Sequence, residues 1–240
     1  MLPILFQSNS FVLYSYPLLM GLAWGIGYQF FFYHIESSQR LRAQILFWGI
    51  FIFAWIGAKT LFIITSGDTF SNSFYASSNF WLGGGFVFYG GLIAGLLYLL
   101  LYHLIWKFHP QWIKWGLVSL ALGHGIGRIG CFLAGCCYGE VTEAWWGIHL
   151  HGHDRHPTQL IEALSLMILA LLLKRMNQQG MLLATYAMGY GGVRFLLEYL
   201  RADQLRGMWA AGLTPSQWLS LALVISGSCW WIKKRLFPTK

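Results

Sequence analysis

Seven apolar runs, separated by loops too short to fold by themselves, restrict this 240-residue chain more than any other feature. A helix needs about 20 apolar residues to cross the roughly 30 Å of hydrocarbon in a bilayer. Only helices or closed barrels satisfy all their backbone polar groups there. The runs extend roughly from Phe11 to Tyr33, Ala43 to Thr65, Phe86 to Trp106, Trp115 to Leu133, Gln159 to Leu173, Met181 to Leu200 and Gln217 to Ile232, the fifth and seventh being short. Only 10% of the residues are charged, against about 25% in soluble domains. The expectation is an all-α, polytopic membrane protein with about seven transmembrane helices, forming a single integral membrane domain over residues 1–240.

The basic residues report orientation. Arg40, Arg42, Lys107, Lys114, Lys174, Arg175, Lys233, Lys234, Arg235 and Lys240 fall in loops on one side. The opposite loops hold Arg155, Arg201 and Arg206 among Asp68, Glu140, Glu143, Asp154 and Asp203. The positive-inside rule then gives an N-out, C-in topology. The start "MLPILFQSNS" has no basic n-region, as expected of a first span inserted with its start outside and not of a cleaved signal. Despite a net charge of +8 the chain offers no continuous basic face, so no nucleic-acid partner is expected. The outer-face loop at about 134–158 carries "HLHGHDRHP" and is expected to have local structure. The Gly83, Gly84, Gly85 run, with Gly90 and Gly91, marks close backbone approach or a bend.

Several charged residues sit where a membrane helix tolerates them only for a reason. Arg128 ends the fourth run within "GIGRIG". It either snorkels to the headgroup zone or, with Gly125, Gly127 and Gly130 clearing space, offers its planar fork of donors to a phosphate. In "GYGGVRFLLEYLR", Tyr190, Arg194, Glu198 and Arg201 share a helical face carrying two cations to one anion. That face either locks helices together or serves an anionic ligand. Gln159 and Glu162 share a face of the fifth run, whose first turn Pro157 suits. Glu162 has Arg128, Arg194 or Lys59 as candidate partners. Cys131, Cys136 and Cys137 with His149, His151, His153 and His156 provide soft and imidazole ligands, but C-x4-C-C…H-x-H-x-H-x2-H fits no standard zinc spacing. No metal site is assigned and no disulfide framework is implied. Trp145, Trp146 and Trp209 read as interfacial anchors.

Five ordered segments resemble the prolipoprotein diacylglyceryl transferase family. "FYGGLIAG" is similar to its HGGLIG, "GRIGCFLAGCCYG" to GR-x-GNF-x-N-x-E-x-x-G, "RHPTQLIEA" to RHPSQLYEA, "GYGGVRFLLEYLR" to GYG-x-x-R-x-x-x-E-x-x-R, and "PSQWLS" to GQ-x-x-S. The resemblance implies a bacterial inner-membrane enzyme with a site open to the outer leaflet. Its partners would be phosphatidylglycerol, prolipoproteins and membrane lipids, with no cofactor. It would transfer the diacylglyceryl group to a lipobox cysteine thiol, forming a thioether and releasing glycerol phosphate.

By the same resemblance Arg128, Arg194, Tyr89, His156 and Glu198 are expected to be catalytic. Arg201, Tyr190, Gln159, Glu162, His124 and Cys131 are expected to bind substrate. The chain departs from the pattern at polar positions. The family's histidine is Tyr89, a phenol with pKa of about 10 and a poor base. The signature asparagines are Cys131 and Ala134, and the signature glutamate is Cys136. His124 or His156 is the candidate replacement base. Two alternatives stay open at this point. One is a divergent lipid-donor transferase with another acceptor or cysteine-based chemistry, the other a non-catalytic lipid- or metal-binding membrane protein.

Overall fold

A computed structural model of the chain describes residues 2–8, 12–66, 75, 80, 86–202 and 210–236. Asp68, Gly83, Gly84, Gly85, Asp203, Arg206, Trp209 and Lys240 lie outside the described residues.

Each apolar run falls on one long helix. These are α1 (Ser15–Tyr33), α2 (Arg40–Ser66), α3 (Phe88–Trp106), α4 (Pro110–Ala134), α5 (Thr158–Arg175), α6 (Gln179–Glu198) and α7 (Pro215–Leu236). By length and composition alone, α3, α4 and the stretch Ser37–Ser66 containing α2 suffice to cross a membrane. The other four are diluted by glycine, tyrosine, glutamine or charge. Among the described residues the other strands and 3-10 turns are slight: two two-stranded antiparallel sheets and two short 3-10 turns. The first sheet pairs β1 (Ile4–Gln7) with β2 (Val12–Tyr14), a hairpin the apolar pattern does not announce.

The helix ends follow local chemistry. Gly135 has φ 75°, its amide bonds the Phe132 carbonyl (3.1 Å), and the Cys136 amide bonds the Cys131 carbonyl (3.1 Å). These two bonds form a Schellman motif closing α4. Pro157 stands just outside α5 and not in its first turn, its carbonyl accepting from the Leu160 and Ile161 amides. Lys174 and Arg175 end α5, and Lys233, Lys234 and Arg235 end α7, where cations complement the helix dipole.

The chain forms two compact units, residues 34–109 and residues 1–33 with 110–240. In the first, α2 and α3 touch backbone to backbone: a Cβ on Gly90 would lie 2.2 Å from the Gly57 carbonyl oxygen. The Tyr98 ring occupies the space over Gly49, and its hydroxyl donates to the Ile45 carbonyl (2.8 Å). Tyr102, buried, donates to the Arg42 carbonyl (2.9 Å). Lys59, also buried, donates to the Phe80 carbonyl and lies against the Phe80 and Phe86 rings. Ile93, Leu96, Leu97, Leu100, Leu101 and Leu104 of α3 stay exposed, the surface a helix presents to lipid and not to water.

In the second unit α4 lies between α1 and α5, and α6 packs on α5 and α7. Val118, Ala121, Leu166, Leu169, Ala170, Leu173 and Leu182 form its buried core. Glycines set the helix separations. A Cβ on Gly125 would meet the Ala163 carbonyl oxygen at 3.2 Å, one on Gly127 the Met20 sulfur at 3.3 Å, and one on Gly130 Leu19 at 3.0 Å. These three glycines therefore serve close helix packing, as small residues do in membranes, and not the ligand clearance inferred from "GIGRIG".

Loop 134–158 does carry local structure. Strands β3 (Ile148–Leu150) and β4 (His153–Arg155) form a hairpin, and His151 and Gly152 turn it with φ of 53° and 79°. Positive φ at both central residues is the hairpin turn that matches strand twist. The loop is stitched to the end of α6: the Glu140 amide bonds the Leu200 carbonyl (2.8 Å) and the Ala202 amide bonds Tyr138 (3.2 Å). Gly139 sits in this seam, where a Cβ would meet the His156 carbonyl oxygen at 2.5 Å and that of Leu200 at 2.7 Å.

Candidate active site

The carboxylate of Glu162 organises the junction of α4, α5 and α6. Glu162 lies one turn into α5 with a side chain only 2% exposed, and it forms an ion pair with Arg128 from the end of α4. His124, one turn earlier on α4, brings Nε2 to 3.8 Å from the same carboxylate. From α6, the Tyr190 hydroxyl donates to it at 3.4 Å, and the Tyr190 ring meets His124 edge-on. Three of the residues expected to bind or react, Arg128, His124 and Tyr190, thus share the buried carboxylate of a fourth, Glu162. Arg128 is not used up by this pairing. Its Nη1 lies 3.8 Å from the Cys131 sulfur, and its buried Nε has no hydrogen-bond partner among the described residues.

A second cluster lies farther along α6. Arg194 and Glu198 are one turn apart and pair at 2.5 Å, with Arg201 Nε at 4.0 Å from the same carboxylate. Arg194 and Arg201 are both buried, and Arg194 Nη1 lacks a hydrogen-bond partner among the described residues. The other oxygen of Glu198 accepts from the Thr214 hydroxyl (2.8 Å). Thr214 precedes α7 and accepts from the Gln217 amide (3.2 Å), while Gln217 Oε1 accepts from the Thr214 amide (3.0 Å). This is a capping box. It was legible in "TPSQ", yet its Thr214 was not among the expected site residues.

Gln159, fully buried in the first turn of α5, donates through Nε2 to the Cys136 carbonyl (2.7 Å). Its neighbour Thr158 donates to the Cys137 carbonyl (2.9 Å). The two bonds hold the turn after α4, in which Cys137 adopts φ 61°. There the sulfurs of Cys131, Cys136 and Cys137 come within 4.8 Å of one another. The Cys137 thiol is held well below its usual range, first by hydrogen bonds from Cys131 and Cys136 and then by the Arg201 and Arg128 guanidinium groups, with burial opposing. Spacing alone did not group these thiols without the histidines. Two of the histidines have partners elsewhere: His149 bonds Asp154 (3.0 Å), and His151 donates to the Gly135 carbonyl (2.8 Å).

His156 stands in the outer-face loop, where its Nδ1 accepts from the Trp146 indole (3.1 Å). The neutral ring therefore carries its proton on Nε2, and its one lone pair is occupied. Trp146 is thereby a partner of a site residue as well as an exposed aromatic. Tyr89 belongs to the other compact unit, in the first turn of α3, with its ring edge-on to Phe88.

Comparison with known sequences decides the family. A sequence model described as Prolipoprotein diacylglyceryl transferase matches residues 3–233. The chain belongs to the prolipoprotein diacylglyceryl transferase family. The phosphatidylglycerol-prolipoprotein diacylglyceryl transferase of Finegoldia magna is 32% identical over 198 residues, 79% of this chain and 77% of that protein. The enzyme named phosphatidylglycerol-prolipoprotein diacylglyceryl transferase 2 in Clostridium perfringens is 33% identical over 235 residues, covering 90% and 88% of the two chains. That of Bordetella avium is 26% identical over 94% and 91%. The chain carries two buried arginine–carboxylate clusters, and three of its thiols converge in the turn after α4.

Proposed function

We propose that this chain is a diacylglyceryl transferase of the bacterial inner membrane, taking the diacylglyceryl group from phosphatidylglycerol and passing it to the lipobox cysteine thiol of a prolipoprotein. The acceptor thiolate attacks the glyceryl carbon that bears the phosphate. A carbon–sulfur bond forms, the carbon–oxygen bond breaks, and glycerol phosphate leaves with the electron pair. Negative charge grows on the departing phosphate, and fixed guanidinium donors in a dry site stabilise that charge more strongly than water does.

One observation carries this reading. Arg128 and Arg194, on the packed helices α4 and α6, are each anchored by a carboxylate and each keep a buried nitrogen without a hydrogen-bond partner among the described residues. A buried unpaired donor is costly, and a phosphate oxygen removes that cost. Arg201 completes the phosphate clamp, Glu162 and Glu198 aim it, and Tyr190 and His124 support Glu162. Of the remaining catalytic candidates, His156 stands in the outer-face loop of this unit and Tyr89 in the other compact unit. The chain forms one integral membrane domain that crosses the bilayer seven times, N-terminus outside, with this site toward the outer leaflet. The basic loops of α1–α2, α3–α4 and α5–α6 then face the cytoplasm.

The test is direct. Full-length protein in detergent, given labelled phosphatidylglycerol and a lipobox peptide, is expected to yield thioether-linked peptide and glycerol phosphate. Phospholipid that binds but never transfers to the peptide overturns the proposal.

A further inference from the structure

We propose that Cys131, Cys136 and Cys137 form a three-thiolate site for a thiophilic divalent metal ion, zinc by chemical class, whose open fourth position takes the acceptor thiol. The second half of this inference rests on the transferase reading above.

The site is already built in the polypeptide. Zinc–sulfur bonds of about 2.3 Å in a tetrahedron set sulfurs about 3.8 Å apart, and the three sulfurs already lie within 4.8 Å of one another. The backbone that gathers them is held in place. The Schellman closure of α4 folds Cys136 back over Cys131, and Cys137 sits at positive φ. The carbonyls of Cys136 and Cys137 are held by Gln159 and Thr158. Strained backbone of this kind persists where its surroundings over-determine it, and it concentrates at functional sites. All four cysteines of the chain are unpaired. Gln159, with no exposed surface, leaves Oε1 without a hydrogen-bond partner among the described residues, an acceptor waiting beside the cluster.

Charge also fits. Three thiolates around a divalent ion carry one net negative charge, and the Arg128 guanidinium stands 3.8 Å from the Cys131 sulfur. A three-ligand protein site with one open position is the arrangement of catalytic zinc, whereas structural sites are closed. Such a position has a use here. A free cysteine has a pKa of about 8.5, while a thiol coordinated to zinc is deprotonated outright. Of the candidate bases, Tyr89 is a phenol, the His156 lone pair is taken by Trp146, and His124 is turned to the buried Glu162 carboxylate, 3.8 Å from its Nε2. On binding, the acceptor thiol would give its proton to solvent and become a metal-bound thiolate. That sulfur then attacks the glyceryl carbon as written above, leaving the metal as the thioether forms, with no electron gained or lost by the ion.

Cobalt reports the site without relying on activity. Reduced, full-length protein in detergent, loaded with Co2+ under anaerobic conditions, is expected to bind about one ion per chain with sulfur-to-cobalt charge transfer and tetrahedral d–d bands, both abolished by Zn2+. Cys131→Ser, Cys136→Ser and Cys137→Ser should each weaken binding by about 100-fold or more, since even outer-shell partners of a metal ligand are worth about 10- to 100-fold. Cys229→Ser should leave it unchanged. A lipobox peptide should intensify the charge-transfer band, and its Cys→Ser analogue should not. Absence of cobalt binding, or binding indifferent to the three substitutions, overturns the site. If chelated protein with a verified empty site transfers lipid at the full rate, the metal role falls and the transferase reading stands. If zinc-loaded protein retains phospholipid but never modifies the peptide, the transferase reading falls and the metal site stands.

Discussion

Arg128 of α4 and Glu162 of α5 meet as an ion pair whose side chains are 13% and 2% exposed, and Tyr190 of α6 donates to the same carboxylate at 3.4 Å. One buried anion therefore fixes the cation and ties three helices together. Removing one partner of a buried pair costs about 3–5 kcal/mol, because the other charge stays behind uncompensated. Glu162→Gln is expected to destabilise by that order, read as a lower thermal midpoint in detergent. A variant as stable as the parent would mean that Glu162 does not hold Arg128.

The Arg128 guanidinium should matter more to the reaction than to the fold. Arg128→Lys keeps a positive charge but loses the planar fork and the Nε donor now without a partner. Loss of one preorganised transition-state donor costs roughly 100- to 1,000-fold in kcat, and that drop is expected for Arg128→Lys with lipid binding largely retained. Labelled-lipid transfer at saturating peptide measures the first, and co-purified phosphatidylglycerol the second. Unchanged kcat in Arg128→Lys would remove Arg128 from the phosphate.

Gly139 gives a purely steric prediction. An added Cβ would stand 2.5 Å from the His156 carbonyl oxygen and 2.7 Å from that of Leu200, both backbone atoms in the seam between the outer loop and the end of α6. Overpacking of this kind costs about 1–3 kcal/mol. Gly139→Ala is expected to lower the thermal midpoint and, by loosening the Arg201 end of α6, to reduce transfer. Gly192→Ala is the matched control, because a Cβ there meets nothing within 4 Å. Equal midpoints for the two variants would mean that the loop is not seated as described.

Local rules carried much of this architecture into the sequence, and long-range juxtaposition carried the rest. Apolar length located α1 to α7, because a long apolar run satisfies its backbone most readily as a helix. Helical spacing put Arg194 and Glu198 one turn apart, and the structure pairs them. Three partners were open for Glu162, and only the packing of α5 on α4 selects Arg128. "GIGRIG" misled for the same reason: a glycine clears space, but the sequence does not say whether a ligand or a helix fills it. The three cysteines converge through a C-terminal cap and two side-chain bonds from α5, neither of which a spacing pattern encodes. The β1–β2 hairpin escaped because its strands are only four and three residues long.

The crossing of α2 and α3 should be similarly unforgiving. Gly57 and Gly90 face each other, and a Cβ on either falls within 2.4 Å of the other's carbonyl oxygen. Helices associate in membranes largely through such close packing, since lipid supplies no hydrophobic drive between them. Gly90→Ala is expected to force α2 and α3 apart and lower the thermal midpoint, whereas Gly25→Ala in α1, open on all sides, should not. Tolerance of alanine at Gly90 would contradict the backbone contact.

Thr214 links helix stability to the site through a single hydroxyl. Its oxygen accepts from the Gln217 amide as the cap of α7 and donates its proton to Glu198, the carboxylate that holds Arg194. Loss of a threonine cap costs about 1 kcal/mol, so Thr214→Ala should destabilise modestly. It should also cost transfer activity beyond what that loss explains, because Glu198 is freed to rotate away from Arg194. Thr214→Ser restores both bonds and should recover both properties, while Thr214→Asp can cap the helix through its carboxylate but, being only an acceptor when ionised, has no proton to give Glu198. The decisive readings are the thermal midpoint and the KM for phosphatidylglycerol. If aspartate recovers stability and activity together, Thr214 acts as a cap alone and the bond to Glu198 does not position the arginine.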